Sequence, residues 1–207
     1  MLNELLKRHP KLIACIEEIK SAEQMIINTY KNKGKLLVCG NGGSCADSEH
    51  IVGELMKGFL SLRPLSDERK SELKTANPDL SDEILDMLQG ALPAISLTGH
   101  NGLSTAFSND VNPSLVFAQQ LYGLGNKGDI FIGITTSGNS DNVCKAASLA
   151  KAMGIKVIGL TGQKGGKLKE IADACICVPE TETFKVQELH LPVYHYLCAS
   201  AESYFFK

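Results

Sequence analysis

The chain has no uninterrupted run of about 18 apolar residues, so no segment is long and apolar enough to cross a bilayer as a helix. It lacks an excess of charge of either sign. A net charge of -2 gives no global attraction to nucleic acid or to an anionic membrane surface. It has no Cys-x-x-Cys pair with zinc-site spacing, and Cys175-x-Cys177 alternates as a strand does. It has neither the GxGxxG dinucleotide fingerprint nor the lysine and spacing of a P-loop. The opening MLNELLKRHPKLIACIEEIK lacks the unbroken apolar core of a signal peptide. Charges interleave with its apolar positions, which predicts an amphipathic helix. The seven cysteines are odd in number and irregular in spacing, and five lie inside apolar segments. Buried free thiols in a reducing, cytoplasmic setting are the expectation.

What is present fits one domain spanning residues 1–207, with ordinary apolar content of 43%. Residues 1–33 recur near helical period and end at Gly34. Short apolar runs then alternate with helical patterns. The predicted strands are KLLVCG, PAISL (93–97), DIFIGIT (129–135), KVIGLTG and ACICV, and a long helix covers about 184–205. The stretch 58–91 is polar and charged. It reads as an inserted helical excursion outside the core, with Ser81 as an N-cap ahead of Asp82 and Glu83. Repeated βα units predict a five-stranded parallel sheet in a three-layer α/β/α domain of flavodoxin-like type, with terminal helices and that insertion.

Two strand ends carry unusual loops that lead straight into helices: Gly40-Asn41-Gly42-Gly43-Ser44 and Thr135-Thr136-Ser137-Gly138-Asn139-Ser140. A helix N-terminus suits a phosphate dianion, glycines let the backbone approach it, and hydroxyls add donors. Single Ser or Thr residues could instead serve only as helix caps. Four hydroxyls within the second loop favour phosphate. His50 and Glu54, spaced i and i+4, share one face of the helix after the first loop. Gln187 and His195, spaced i and i+8, lie on neighbouring faces of the last helix.

The loop pair GNGGS and TSGNS resembles the SIS (sugar isomerase) domain over nearly the whole chain, with 58–91 as an extra. Within that family the pattern is similar to the phosphoheptose isomerases. His50, Glu54, Gln187 and His195 match their His-x-x-x-Glu and Gln-to-His spacings, and Asn109-Asp110 matches an Asn-Asp pair. The resemblance implies that Asn41, Gly42, Ser44, Thr135, Thr136, Ser137 and Ser140 hold the sugar phosphate, and that Asp110 and Gln187 contact the sugar. It implies one zinc ion per subunit on His50, Glu54, Gln187 and His195, with Glu54 as the carbon base and His195 as the proton donor to oxygen. It further implies conversion of sedoheptulose 7-phosphate to a manno-heptose 7-phosphate for lipopolysaccharide, capsule or S-layer glycans. The assembly implied is a homotetramer with sites at subunit interfaces, without nucleic acid or membrane partners.

Three departures stand out. Phe184 occupies a position where the family has Asp, Pro192 lies between Gln187 and His195, and the insertion follows the active-site helix. Two alternatives stay open. One is a non-catalytic SIS protein like the replication-initiator-associating relatives, which differ where this chain keeps His195. The other is an isomerase or sensor for another sugar phosphate.

Overall fold

The structure is a computed structural model that describes residues 1–206. In chain order the elements are α1 Leu2–Arg8, α2 Ile16–Lys31, β1 Leu36–Gly40, α3 Gly43–Met56, α4 Asp67–Ala76, α5 Asp82–Met87, β2 Ala94–Ser96, α6 Asn101–Asp110, α7 Val116–Leu124, β3 Ile130–Thr135, α8 Asp141–Ala152, β4 Lys156–Thr161, α9 Gly166–Ile171, β5 Ala174–Cys177 and α10 Thr183–Phe206. Every strand pair is parallel, in the order β2-β1-β3-β4-β5, which is the expected flavodoxin-like sheet.

Alternation along each strand sends side chains to two separate cores. Leu36 and Val38 of β1, with Ile130, Ile132 and Ile134 of β3, pack beneath α2, α3 and α10. Leu37, Cys39 and Phe131 face α7, α8 and α9 on the other side. Both faces are covered, so the strands read as continuous apolar runs. All seven cysteines are free, and five are buried.

Two expectations need correcting. Helix α6 was not foreseen. Its segment NGLSTAFSND has only Leu103, Ala106 and Phe107 as a short apolar set and buries no residue; Gln120 of α7 holds its start through His100 Nδ1 at 2.8 Å and Ser104 Oγ at 3.3 Å. The insertion, in turn, is not wholly outside the core. Helix α4 buries nothing; Ser81 caps α5 as its sequence position suggests, and Ser66 caps α4 in the same way. The base of the insertion, however, carries Arg63, with a fully buried side chain, and Leu85.

Arg63 joins three elements. Its guanidinium donates to Glu202 Oε1 of α10 at 2.8 Å and to the Leu55 and Glu54 carbonyls at 2.8 and 3.0 Å. Those carbonyls are in the last turn of α3 and would otherwise lack helical partners. Glu202 also accepts from the Phe59 and Leu60 amides, each at 2.8 Å. Burial alone would raise the Glu202 carboxyl, but the two amides and Arg63 outweigh it and hold it below the ordinary glutamate value. Its stabilisation is therefore complete above the unfolded pKa and is lost as pH falls through the lower folded one. Glu202→Gln leaves a buried guanidinium without its counter-charge and is expected to destabilise the fold by about 3 kcal/mol at neutral pH. In urea titrations the gap between wild type and variant should close on acidification; equal stability at neutral pH would show that the pair contributes nothing.

Candidate active site

β1 and β3 lie side by side at the centre of the sheet, in register to Gly40↔Ile134. From there the chain continues to β2 on one side and to β4 on the other. Ligands of open α/β sheets bind at such a switch point, beyond the carboxyl ends of the strands. Both candidate loops emerge there. In the first, Gly42 adopts φ +56°, ψ −121°, a conformation closed to residues with a Cβ. A Cβ on Gly40 would lie 2.6 Å from Ser44 Cβ, so the chain doubles back tightly into α3.

In the second loop the hydroxyls turn toward one another. Thr135 Oγ1 lies 2.8 Å from Ser140 Oγ and 3.5 Å from Ser137 Oγ, and Ser137 Oγ accepts from the Asn139 amide at 3.1 Å. Ser140 precedes α8 without a side-chain cap bond. The bland capping role therefore does not account for Ser140. Gly138, at φ +70°, backs directly onto the Gly165 carbonyl, where a Cβ would lie 1.9 Å away. The two loops are tied together by a reciprocal amide pair: Asn41 Nδ2 donates to Asn142 Oδ1 at 2.9 Å, and Asn142 Nδ2 donates to Asn41 Oδ1 at 3.0 Å.

Helices α3 and α10 leave this end of the sheet in the same direction and in step. The Gln187 side chain lies against Gly43, where a Cβ would come within 2.4 Å of its Nε2. Two turns on, His195 meets His50, and at the far end Glu202 meets Phe59 and Leu60. The helix continues through Pro192, whose missing N–H leaves the carbonyl of exposed Glu188 without its helical bond. His50 Nε2 lies 3.1 Å from Glu54 Oε1 and 3.4 Å from His195 Nε2. His50 Nδ1 lies 3.0 Å from Tyr194 Oη, which donates to Asp47 Oδ1 at 3.2 Å. Lys57 Nζ donates to Glu54 Oε2 at 3.1 Å.

Two donors tetrahedrally bound to zinc stand about 3.3 Å apart. Glu54 Oε1 and His195 Nε2 each stand at about that spacing from His50 Nε2, and two imidazoles and a carboxylate are ordinary zinc donors. The three side chains are in mutual contact, and among the described residues no group of three or more His, Cys, Asp or Glu is arranged to hold a metal ion. Gln187 is not with them: it lies beside Gly43 of the first loop, about 12 Å of helix rise from His195. Asp110 ends α6, exposed, and accepts from Asn109 Nδ2 at 2.9 Å; among the described residues no hydrogen bond joins it to either loop. Phe184 is exposed in the first turn of α10, with Lys185 over its ring.

Burial lowers the His195 pKa, and the neighbouring His50 and Arg8 add to the shift against the opposing Glu54, so the imidazole is neutral at pH 7. Burial raises the Asp47 carboxyl, against the Tyr194 hydrogen bond and the nearby His50. The sequence reading did not single out Asp47, Lys57, Asn142 or Tyr194. Asp47 and Lys57 had a faint signal, three residues from His50 and Glu54 on one helix face. Asn142 and Tyr194 act across elements and had none.

Asn142→Ala removes the amide pair that sets the spacing of the loops. It should raise KM for a phosphorylated substrate about tenfold with kcat largely kept, as expected of loops that would bind a substrate's phosphate remote from its reacting carbons. Steady-state kinetics check this, and an unchanged KM would show that the pair does not shape the phosphate site.

The SIS domain model matches residues 5–84 and 85–162. A phosphoheptose isomerase of a Nitratiruptor species is 38% identical over 98% of this chain and 96% of its own length. That of Helicobacter pylori (strain P12) is 40% identical over 91% and 85%. The solved phosphoheptose isomerase from Francisella tularensis superposes with a TM-score of 0.77 at 32% identity, covering 95% of this chain and 91% of that one. Shared architecture, loops and helix pairing thus converge on one assignment: the chain belongs to the SIS-domain proteins, within the phosphoheptose isomerase family.

Proposed function

We propose that the chain is an aldose–ketose isomerase that converts sedoheptulose 7-phosphate to D-glycero-D-manno-heptose 7-phosphate, supplying heptose for surface glycans. The observation that carries this reading is a single helix, α3, which starts in the phosphate loop and carries His50 and Glu54 two to three turns further on. About 10 Å of helix rise separates Gly43 from His50. A triose phosphate is too short to bridge that gap, and an extended seven-carbon phosphate is not.

The phosphate end is held by Asn41, Gly42, Ser44 and the Thr135, Thr136, Ser137 and Ser140 loop. Binding at that remote end fixes the position of C1 and C2. Glu54 takes the C1 proton of the open-chain ketose to form a cis-enediol and returns it to C2. Its Oε1 faces His50 while Oε2 faces Lys57, whose positive charge keeps the carboxylate in place. Neutral His195 passes a ring proton to the carbonyl oxygen as the enediol forms, and the O1 proton is recovered as the aldehyde appears. Phe59, whose ring centroid is 5.4 Å from that of His195, shields one side of the imidazole from water.

Zinc is part of this reading. His50, Glu54 and His195 would hold it, and when bound it would polarise the substrate oxygens. A homotetramer with interfacial sites is also proposed. It is supported by an open groove of about 520 Å³ beside His195, lined by Met1, Leu5, Phe59, Leu60 and Leu191, which a neighbouring subunit would close. The free buried thiols support a cytoplasmic location.

Glu54→Gln should lower kcat on sedoheptulose 7-phosphate by about 10²- to 10⁴-fold with little change in KM, and His195→Ala by a similar factor. Product aldose measured with added zinc and with a chelator checks both roles. Equal turnover by wild type and the two variants would reject the assignment.

A further inference from the structure

Behind the imidazole–carboxylate cluster runs a chain of hydrogen bonds that the isomerase mechanism does not use. Tyr194 Oη stands between Asp47 Oδ1 at 3.2 Å and His50 Nδ1 at 3.0 Å. The opposite edge of the His50 ring presents Nε2 to Glu54 Oε1 and His195 Nε2. The Tyr194 ring packs edge-on against the same imidazole, with centroids 5.4 Å apart and planes at 73°.

The direction of these bonds follows from counting protons. A tyrosine hydroxyl has one hydrogen, and an ionised carboxylate can only accept. The Tyr194 hydrogen therefore goes to Asp47, and the phenol oxygen offers its lone pair to His50. Nδ1 must then carry the ring hydrogen. A neutral imidazole has only one, so Nε2 is bare. Either neutral tautomer leaves one contact without a proton: Nε2 against Glu54 Oε1 in this one, the phenol oxygen against the Asp47 carboxylate in the other. The second is the costlier, because Tyr194 is buried while the His50 side chain is 42% exposed.

We propose that Asp47 and Tyr194 are positioning residues that hold His50 as its Nδ1–H tautomer, so that the Nε2 lone pair is aimed at a divalent cation shared with Glu54 and His195. The cation half of this statement rests on the proposed zinc reading; the tautomer half does not. Partners on the second nitrogen are how proteins fix the tautomer and basicity of ligating histidines. The chain also spans two helices. Asp47 and His50 belong to α3 and Tyr194 to α10, so the lone pair is correctly aimed only when the two helices are paired.

Nitrogen-15 NMR of histidine-labelled, metal-free protein decides the tautomer, at a pH about two units above the ordinary imidazole value. The His50 signals are identified by their loss in His50→Asn. Wild type should show the hydrogen on Nδ1. In Tyr194→Phe it should move to Nε2, where Glu54 accepts it. Asp47→Ala should give the same change, since it frees the Tyr194 hydroxyl to donate to Nδ1, and it decides the matter if Tyr194→Phe does not fold. Both variants should bind zinc about 10- to 100-fold more weakly in chelator competition. Hydrogen on Nε2 in wild type, or an unchanged tautomer in folded variants, would overturn the proposal. A wild-type Nδ1–H signal without zinc binding would overturn the cation half alone.

Discussion

The parallel pairing of α3 with α10 is the constraint on which the site depends, and the buried Arg63–Glu202 pair is what fixes its register. The guanidinium closes the last turn of α3 while the carboxylate of α10 gathers the amides that follow that helix. The same interaction thus ends one helix and sets how far the other has advanced along it. Because contacts recur every two turns, a slip of one turn would move His195 about 5 Å from His50 and carry Gln187 off Gly43. A buried ion pair gives little net stability compared with an apolar substitute, but its geometry tolerates few alternatives.

The site divides its work between the two ends of α3. At the N-terminal end glycine-permitted turns bring backbone and hydroxyls together, and Asn41 and Asn142 hold the loops at a fixed distance. At the other end two imidazoles and a carboxylate are forced into mutual contact. Acceptor atoms placed so close together call for a proton or a cation between them. Such arrangements are found where a fold is built for chemistry more than for stability. The insertion touches the site indirectly: its helix α4 stands exposed, while Arg63 at its base braces the turn that carries Glu54.

Much of this was legible in the residues. The strands announced themselves as apolar runs, and the order of βα units limited the topology to a few choices. The hydroxyl-rich loop and the His50–Glu54 spacing were visible because each lies within a few residues of chain. Helix α6 was missed although Leu103, Ala106 and Phe107 stand at helical spacing, because the surrounding Asn, Gly, Ser and Thr favour a loop and the helix is held by its neighbours. The insertion misled for a related reason. Its composition is polar, and one arginine among many charges does not reveal that it is buried.

By itself the sequence determined the layered α/β fold, the two glycine- and hydroxyl-rich loops at the strand ends and which helix faces carry titratable groups, since all of these follow from short-range periodicity and turn chemistry. Tertiary structure alone decided that His195 reaches His50 while Gln187 stays beside Gly43, and that Tyr194 links His50 to Asp47. It also decided that Asn142 answers Asn41 across 101 residues. Contacts of that kind depend on how two distant elements are rotated and advanced against each other, and no local pattern of residues encodes that relation.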